Sequence, residues 1–475
     1  MTTAAAPKST PTPDAGEAAA PVAPAAAARP ASFGTRAFMR MFAAFTYRDF
    51  RVQWFGACTS SIGTWMQIVA QNWLIVSLTN ASPLFLGLDA FLQQLPIILF
   101  SLIGGVFADR YDRRRTLIAS QCVQMMTSGT LALLMYLQAI QIWHVLTLSF
   151  VTGLAQSFGG PAYQSLIPSL VDKKDLPNAV ALNSIQFNVA RVLGPMSFAL
   201  TLSLFRHWSY SEPQAMNACF LLNSLSFLVV ISTLMMLRVK HIPPAKSGRM
   251  GEELKSGLSY VRHHSSLAAL IVLAAATTFL GFALLTFLPI FAQKVFHEGA
   301  NTYSHLMAFS GAGSILGALI VAWLGKFPKM GWTALIVQAV YGLLIIAFAV
   351  SRTLWLSDIL LFMTGAALMV VFSTVTSLIQ LIAPNEMRGR VMSIYMVAFR
   401  GGMPLGSLVS GYLATFIGAP MVIGINGVLL VVVAAYFLVR SREVREASRR
   451  GATACHNLLL RVLFASFAPS RPHSE

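Results

Sequence analysis

Charge is scarce in this 475-residue chain. Asp, Glu, Lys and Arg make up 11% of it, against roughly a quarter in a soluble domain. That scarcity excludes an ordinary soluble globular fold. Cysteine is scarce as well. Cys58, Cys122, Cys219 and Cys455 are scattered, with no CxxC or metal-ligand spacing, and the nine histidines form no ligand motif. Neither a disulfide nor a metal site is expected. No Gly-x-x-x-x-Gly-Lys-Ser/Thr phosphate cradle occurs, so nothing points to ATP as the energy source. No nucleophile–base constellation is present either, so the chain is not read as an enzyme and no cofactor is expected. The alternating pattern of a membrane β-barrel is missing too.

Apolar length is what the chain has instead. Hydrophobic residues make up 56% of it, and a spanning helix needs about 20 such residues in a row. Twelve runs qualify: 52–78, 84–108, 116–138, 145–167, 177–205, 216–238, 266–293, 304–325, 331–350, 356–382, 391–416 and 420–440. Backbone groups in lipid must bond within their own segment, so each run is expected to be a helix. The fold class this implies is an all-α membrane protein of twelve transmembrane helices in two six-helix halves, with the lipid bilayer as its first partner.

A net charge of +17 is of the kind nucleic-acid binders carry, but its distribution argues against that partner. With the N-terminus inside, 29 of the 34 Lys and Arg residues fall on the inner side. Only Arg206, Lys294 and Arg352 fall outside, and Arg191 and Arg400 lie within runs. This is the positive-inside pattern of a multi-pass protein of the plasma, or bacterial inner, membrane with both termini in the cytoplasm. No nucleic-acid partner is expected, and the chain is read as a monomer.

Residues 1–32, rich in Ala, Pro and Thr, are expected to be a disordered tail. Residues 33–238 form the first six-helix half, preceded by an interfacial stretch with Arg36, Arg40, Arg48 and Arg51. Residues 239–265 are a cytoplasmic linker; Leu254, Leu258 and Val261 recur there at helical spacing, so part of it is an amphipathic helix. Residues 266–440 form the second half, and 441–475 a basic cytoplasmic tail with an apolar stretch from Leu458 to Phe467.

Charges inside the membrane mark function, because each costs about 2.5–3.5 kcal/mol on insertion scales and must find a cavity or partner. Asp89 is the one acid well inside a run. It is a candidate for proton coupling or a structural partner for an arginine. Arg191 and Arg400 either bind an anionic substrate group or neutralise Asp89. A faint internal repeat joins these arginines: Arg191 to Pro195 in the fifth run and Arg400 to Pro404 in the eleventh both read Arg-x-x-x-Pro. Around them, Gly194 with Pro195 and Gly402 with Pro404 suit close helix packing and a local bend. Gln67, Gln71, Gln93, Gln156, Asn183 and Gln186 are candidates for the cavity wall or for helix-to-helix hydrogen bonds. The second half holds fewer such residues and offers Phe279, Phe282 and Phe287 instead.

The loop after the second run carries Gly105, Asp109, Arg110, Asp112, Arg113, Arg114 and Arg115. Its Gly-x-x-x-Asp-Arg-x-Asp-Arg-Arg spacing, with Gly63–Gln67, Leu78–Pro83, Asp175–Asn183 and Arg388–Ser393, resembles the major facilitator superfamily over roughly residues 45–440. More narrowly, the chain resembles the drug:proton antiporter branch that includes enterobactin-exporter-like proteins. The resemblance implies alternating access around a midplane site. It implies that Gly105, Asp109, Arg110, Asp112 and Arg113 form a latch, with Asp109 facing the N-terminal end of the eleventh helix near Val391. A carboxylate there is worth typically 0.3–1 kcal/mol. A plain positive-inside anchor is the alternative reading of this loop. The expected function is proton-coupled efflux of a small organic molecule, drug- or siderophore-like. The alternatives are a lipid-like solute transporter or uptake permease of the same fold, and a non-transporting scaffold or sensor.

Overall fold

Every element of regular structure among the described residues is helical. The structure, a computed structural model, describes residues 42–110, 112–237, 250–325, 327, 329–384 and 386–440, the side chains of 101–110 and 250–255 excepted. The expected tails, 1–32 and 441–475, lie outside these residues, as does most of the first half of the linker.

Six long helices form the first half: α1 (Arg48–Leu78), α2 (Pro83–Arg110), α3 (Arg113–Tyr136), α4 (Ile142–Leu166), α5 (Leu176–His207) and α6 (Glu212–Met236). A shorter helix, α7 (Met250–His263), occupies the linker. Six segments form the second half. The first, α8, covers Ser265–Val295; its parts Ser265–Gly281 and Ala283–Ile290 meet at Phe282 and end in a π turn, Phe291–Val295. Then come α9 (Ala300–Leu324), α10 (Met330–Val350), α11 (Leu354–Ile382), α12 (Arg388–Ile417) and α13 (Ala419–Arg440).

Nine of these, among the described residues, are long and apolar enough by composition to cross a membrane. The remaining three, α1, α4 and α12, are as long but more polar. Their polar residues have protein partners: Gln71 of α1 bonds Ser149 of α4, and Ser410 of α12 bonds Asn426 of α13. Polar side chains inside a membrane are tolerated where they face protein, so the lower hydropathy of these helices follows from their packing.

Each half packs on itself through the same scheme, α2 on α4 and α1 on α5 and α6 in the first, α9 on α11 and α12 on α8 in the second. The halves meet chiefly along α2 with α12 and α5 with α9. The buried apolar side chains fall into three clusters. One draws on both halves and includes Trp73, Leu86, Phe198, Phe287, Tyr303 and Ala414. The other two lie toward the opposite end of the helices and stay within one half each: Phe50, Leu117, Leu182 and Phe227 in the first, Leu270, Leu335, Leu378 and Tyr395 in the second. The halves are therefore joined at the Lys/Arg-poor end and parted at the Lys/Arg-rich end. The surface helix α7 packs on the Lys/Arg-rich end of α12, where Arg390 donates to Ser256 Oγ at 3.0 Å.

Candidate functional site

The joined end closes because backbones approach there. A Cβ on Gly87 of α2 would sit 2.4 Å from the Ser407 carbonyl oxygen of α12, so only glycine admits the contact. One turn on, a Cβ on Gly411 of α12 would sit 2.8 Å from the Pro83 carbonyl oxygen. A polar contact adds to this: Asn72 of α1 donates to Tyr303 Oη of α9 at 3.0 Å. Trp73 stacks on the same tyrosine ring, and its indole bonds Glu212.

Toward the parted end the same helix faces run on without a partner. On α12, Arg400, Pro404, Ser407 and Gly411 share a face by their spacing. Ser407 and Gly411 touch α2, whereas Arg400 is exposed. On α5 the related face is Val180, Ser184, Phe187 and Arg191. Arg191 and Val192 lie against Gly311 of α9, while Val180, Ser184 and Phe187 are exposed. Both arginines thus stand where the halves begin to separate. The Arg191 guanidinium lies over the Trp65 ring, 5.8 Å from its centroid, within the range of a cation–π contact. Trp65 meets Phe187 edge-on at 5.9 Å. Gly194 fits against Trp65 Cβ, and Pro195 is buried beside it. Gly402 and Pro404 are likewise buried, and Gly402 packs α12 on Thr278 of α8.

Asp89 is only 4% exposed and is held inside the first half. Ser149 Oγ donates to it at 2.6 Å, and Gln71 Nε2 lies 3.1 Å from each carboxylate oxygen. These are neutral groups. The ion pairs among the described residues do not include Asp89. The arginine partner that the sequence left open is therefore absent from its cage.

The amide candidates divide. Gln67 accepts from Ser128 and Asn223, and Gln186 donates to the Ala57 carbonyl and Ser61, so both tie helices of the first half together. Gln71 belongs to the Asp89 cage. Asn183 accepts from Tyr163, and Gln156, which is exposed, accepts from Gln124. Gln93 is half-buried. In the second half Phe287 is fully buried core. Phe282 instead heads an aromatic row: Phe282 to Phe372 at 6.2 Å, Phe372 to Phe399 at 4.5 Å and Phe399 to Tyr395 at 5.8 Å.

Of the latch residues, the side chains of Gly105, Asp109 and Arg110 lie outside the described residues. Asp112 caps α3, accepting from the backbone N–H of Arg114 at 2.9 Å and of Arg115 at 3.3 Å. Arg113 donates to the Ser165 carbonyl of α4, and Arg114 to the Leu237 carbonyl after α6. These bonds remain within the first half. Tyr303, Gly87, Trp65 and Phe372 are the residues that sequence reasoning passed over. The small-residue pairs on α12 were a signal for close packing, but nothing local in the sequence identifies Gly87 or Tyr303 as the partner across the halves.

The family model for transmembrane secretion effectors matches residues 39–466. The chain belongs to this family of the major facilitator superfamily. Among curated proteins it is 24% identical to the staphyloferrin A transporter of Staphylococcus aureus, covering 81% of this chain and 94% of that one. It is 22% identical to macrolide efflux protein A of Streptococcus pyogenes, covering 80% and 93%. Its fold matches a solved bacterial homologue of the human lysosomal transporter Spinster in an inward-facing, occupied conformation, with TM-score 0.65, 16% identity and coverage of 84% and 98%. The chain is a multi-pass membrane transporter that handles a small molecule, not an enzyme.

Proposed function

We propose that this secretion-effector family member exports a small organic molecule across the bacterial inner membrane in exchange for protons, working as a monomer with both termini in the cytoplasm. One observation carries the coupling. Asp89 is a carboxyl group enclosed within the spans and hydrogen-bonded only to neutral side chains. A carboxyl group held without a cation is suited to gain and lose a proton as access alternates. The positive-inside bias supports a cytoplasmic position for the parted end, with the substrate entering between α5 and α12. Arg191, Arg400 and the Phe282–Phe399 aromatic row supply charge and apolar surface to an amphipathic solute. Relatives named for staphyloferrin A and for macrolide efflux support export of such a molecule. In the return step, Asp109 and its neighbours would latch the cytoplasmic end against the start of α12. The domain division at residues 33–238 and 266–440 belongs to this reading, with the linker helix α7 riding on α12.

The test is transport by the purified chain in proteoliposomes with an imposed pH gradient, screened against drugs, siderophores and lysolipids. Accumulation against a gradient that collapses with a protonophore supports the proposal. Accumulation insensitive to the protonophore would overturn proton coupling.

A further inference from the structure

The Lys/Arg-poor end carries a cavity of about 780 Å³ that the transport path above does not use. Its wall includes Asn80 and Ser82 from the turn between α1 and α2, Pro83 at the start of α2, Lys294 in the last turn of α8, His297 just beyond it, and Arg352 before α11. The end of α12 and the start of α13, with Thr415 and Pro420, complete it. The volume lies within the range of about 300–1,000 Å³ typical of small-molecule sites.

Its charge is unusual for its location. Only three Lys or Arg residues fall outside the runs on this side of the chain, and two of them, Lys294 and Arg352, line this one cavity. No acid lines it. Among the described residues, neither cation has a carboxylate within salt-bridge distance, although Glu298 lies close in sequence. Arg352 donates only to the carbonyls of Ala349 and Ser351. A guanidinium, an ammonium, an imidazole, a side-chain amide and the Ser82 hydroxyl line one space and form a donor set for a carboxylate or phosphate, while the Thr415 hydroxyl is taken up by the Tyr412 carbonyl.

We infer that this cavity is an anion-binding site that recognises a carboxylate- or phosphate-bearing ligand from the outer side, independent of the cleft at the other end. Its walls come from both halves. Pro83 belongs to the first and also touches Gly411, one of the contacts that hold the joined end closed. Opening that end moves Pro83 and Ser82 away from Lys294 and Arg352. A ligand bound there favours the closed state by linkage. The site is open to solvent, so binding weakens as salt rises.

The experiment uses the full chain purified in neutral detergent, with citrate and inorganic phosphate as probes and affinity read by thermophoresis at low and high salt. Nanodiscs of phosphatidylglycerol and of phosphatidylcholine form a second arm, read by melting temperature. Both cations are exposed and outside the ion pairs among the described residues, so the double variant Lys294→Gln/Arg352→Gln should fold; Lys294→Arg/Arg352→Lys is the charge-conserving control. Citrate or phosphate binding that weakens at least about tenfold in the Gln variant, or 1.4 kcal/mol, and persists in the control supports a soluble anion as ligand. Protection by phosphatidylglycerol over phosphatidylcholine, lost in the Gln variant alone, supports the site with a lipid headgroup as its source. No binding and no lipid dependence in the wild type, or equal binding in wild type and Gln variant, overturns the inference. The readout does not involve transport, so it can fail while the export proposal stands, and the reverse.

Discussion

The two ends of the molecule solve opposite problems. At the joined end, Gly87 meets Ser407 through the backbone, Asn72 bonds Tyr303, and one apolar cluster runs across both halves. At the parted end these charged and polar groups find partners within their own half or, for Arg390, on the linker helix α7. Asp112 caps α3, Arg113 reaches Ser165, Arg114 reaches Leu237, Arg390 reaches Ser256, and Tyr47 donates to Asp172 and Asp175. The difference teaches how such a protein can part at one end without penalty. A buried polar group that loses its partner costs about 1–3 kcal/mol. Because these bonds do not cross between halves, separation leaves none of them broken.

Breaking the joined end by bulk should have the largest effect. Gly87→Val would place carbon on the Ser407 carbonyl, and that clash cannot relax through a flexible side chain. Transport should fall at least about tenfold, a change of 1.4 kcal/mol or more in the closed state. Spin-label distances between the first and second halves at that end should lengthen. Unchanged distances would show that the contact does not set closure.

The parted end should respond to Asp112→Ala through stability rather than closure. Removing the cap of α3 costs about 1 kcal/mol. The melting temperature should drop while the spin-label distances at the joined end stay put. A change in those distances would mean the loop couples to the far end.

Tyr303→Phe sharpens the comparison on a smaller scale. It removes the Asn72 bond and keeps the ring on Trp73. A hydrogen bond between membrane helices is worth about 0.6 kcal/mol, so the balance between closed and open states should shift about threefold. No shift would assign closure to the backbone contacts and the apolar cluster alone.

The smallest effect concerns pH at the parted end. The phenol of Tyr47 donates to Asp175 and Asp172, which hold its pKa above the ordinary tyrosine value. The folded form binds the proton more tightly than the unfolded one. The stabilisation is therefore present below about pH 10, the ordinary tyrosine pKa, and is lost as pH rises beyond it. Melting curves of wild type should lose stability in that alkaline range relative to Tyr47→Phe. Parallel curves would remove the role of this bond.

Much of this architecture was legible because apolar length is a local property. The run 266–293 became Ser265–Val295, and 116–138 became Arg113–Tyr136. The helical spacing of Leu254, Leu258 and Val261 falls on α7. The charges Asp89, Arg191 and Arg400 were legible for the same reason, since each interrupts an apolar run. Their surroundings were not. The Ser149 that binds Asp89 lies 60 positions away, and the Trp65 under Arg191 comes from another helix. Composition left Gln67 and Gln186 open between a cavity wall and a helix-to-helix hydrogen bond, because side-chain direction within a bundle decides whether an amide faces a cleft or a neighbouring helix. Gly87 carries no local mark, because its meaning lies in the backbone opposite it.

The account rests most heavily on proton exchange at Asp89. The direct measurement is pH-driven uptake and substrate counterflow in proteoliposomes by wild type and by Asp89→Asn, with melting temperature confirming that the variant is folded. The account predicts that Asp89→Asn retains counterflow, while accumulation against a gradient falls at least about tenfold. A folded Asp89→Asn protein that still concentrates substrate at the wild-type rate under the same pH gradient would contradict it.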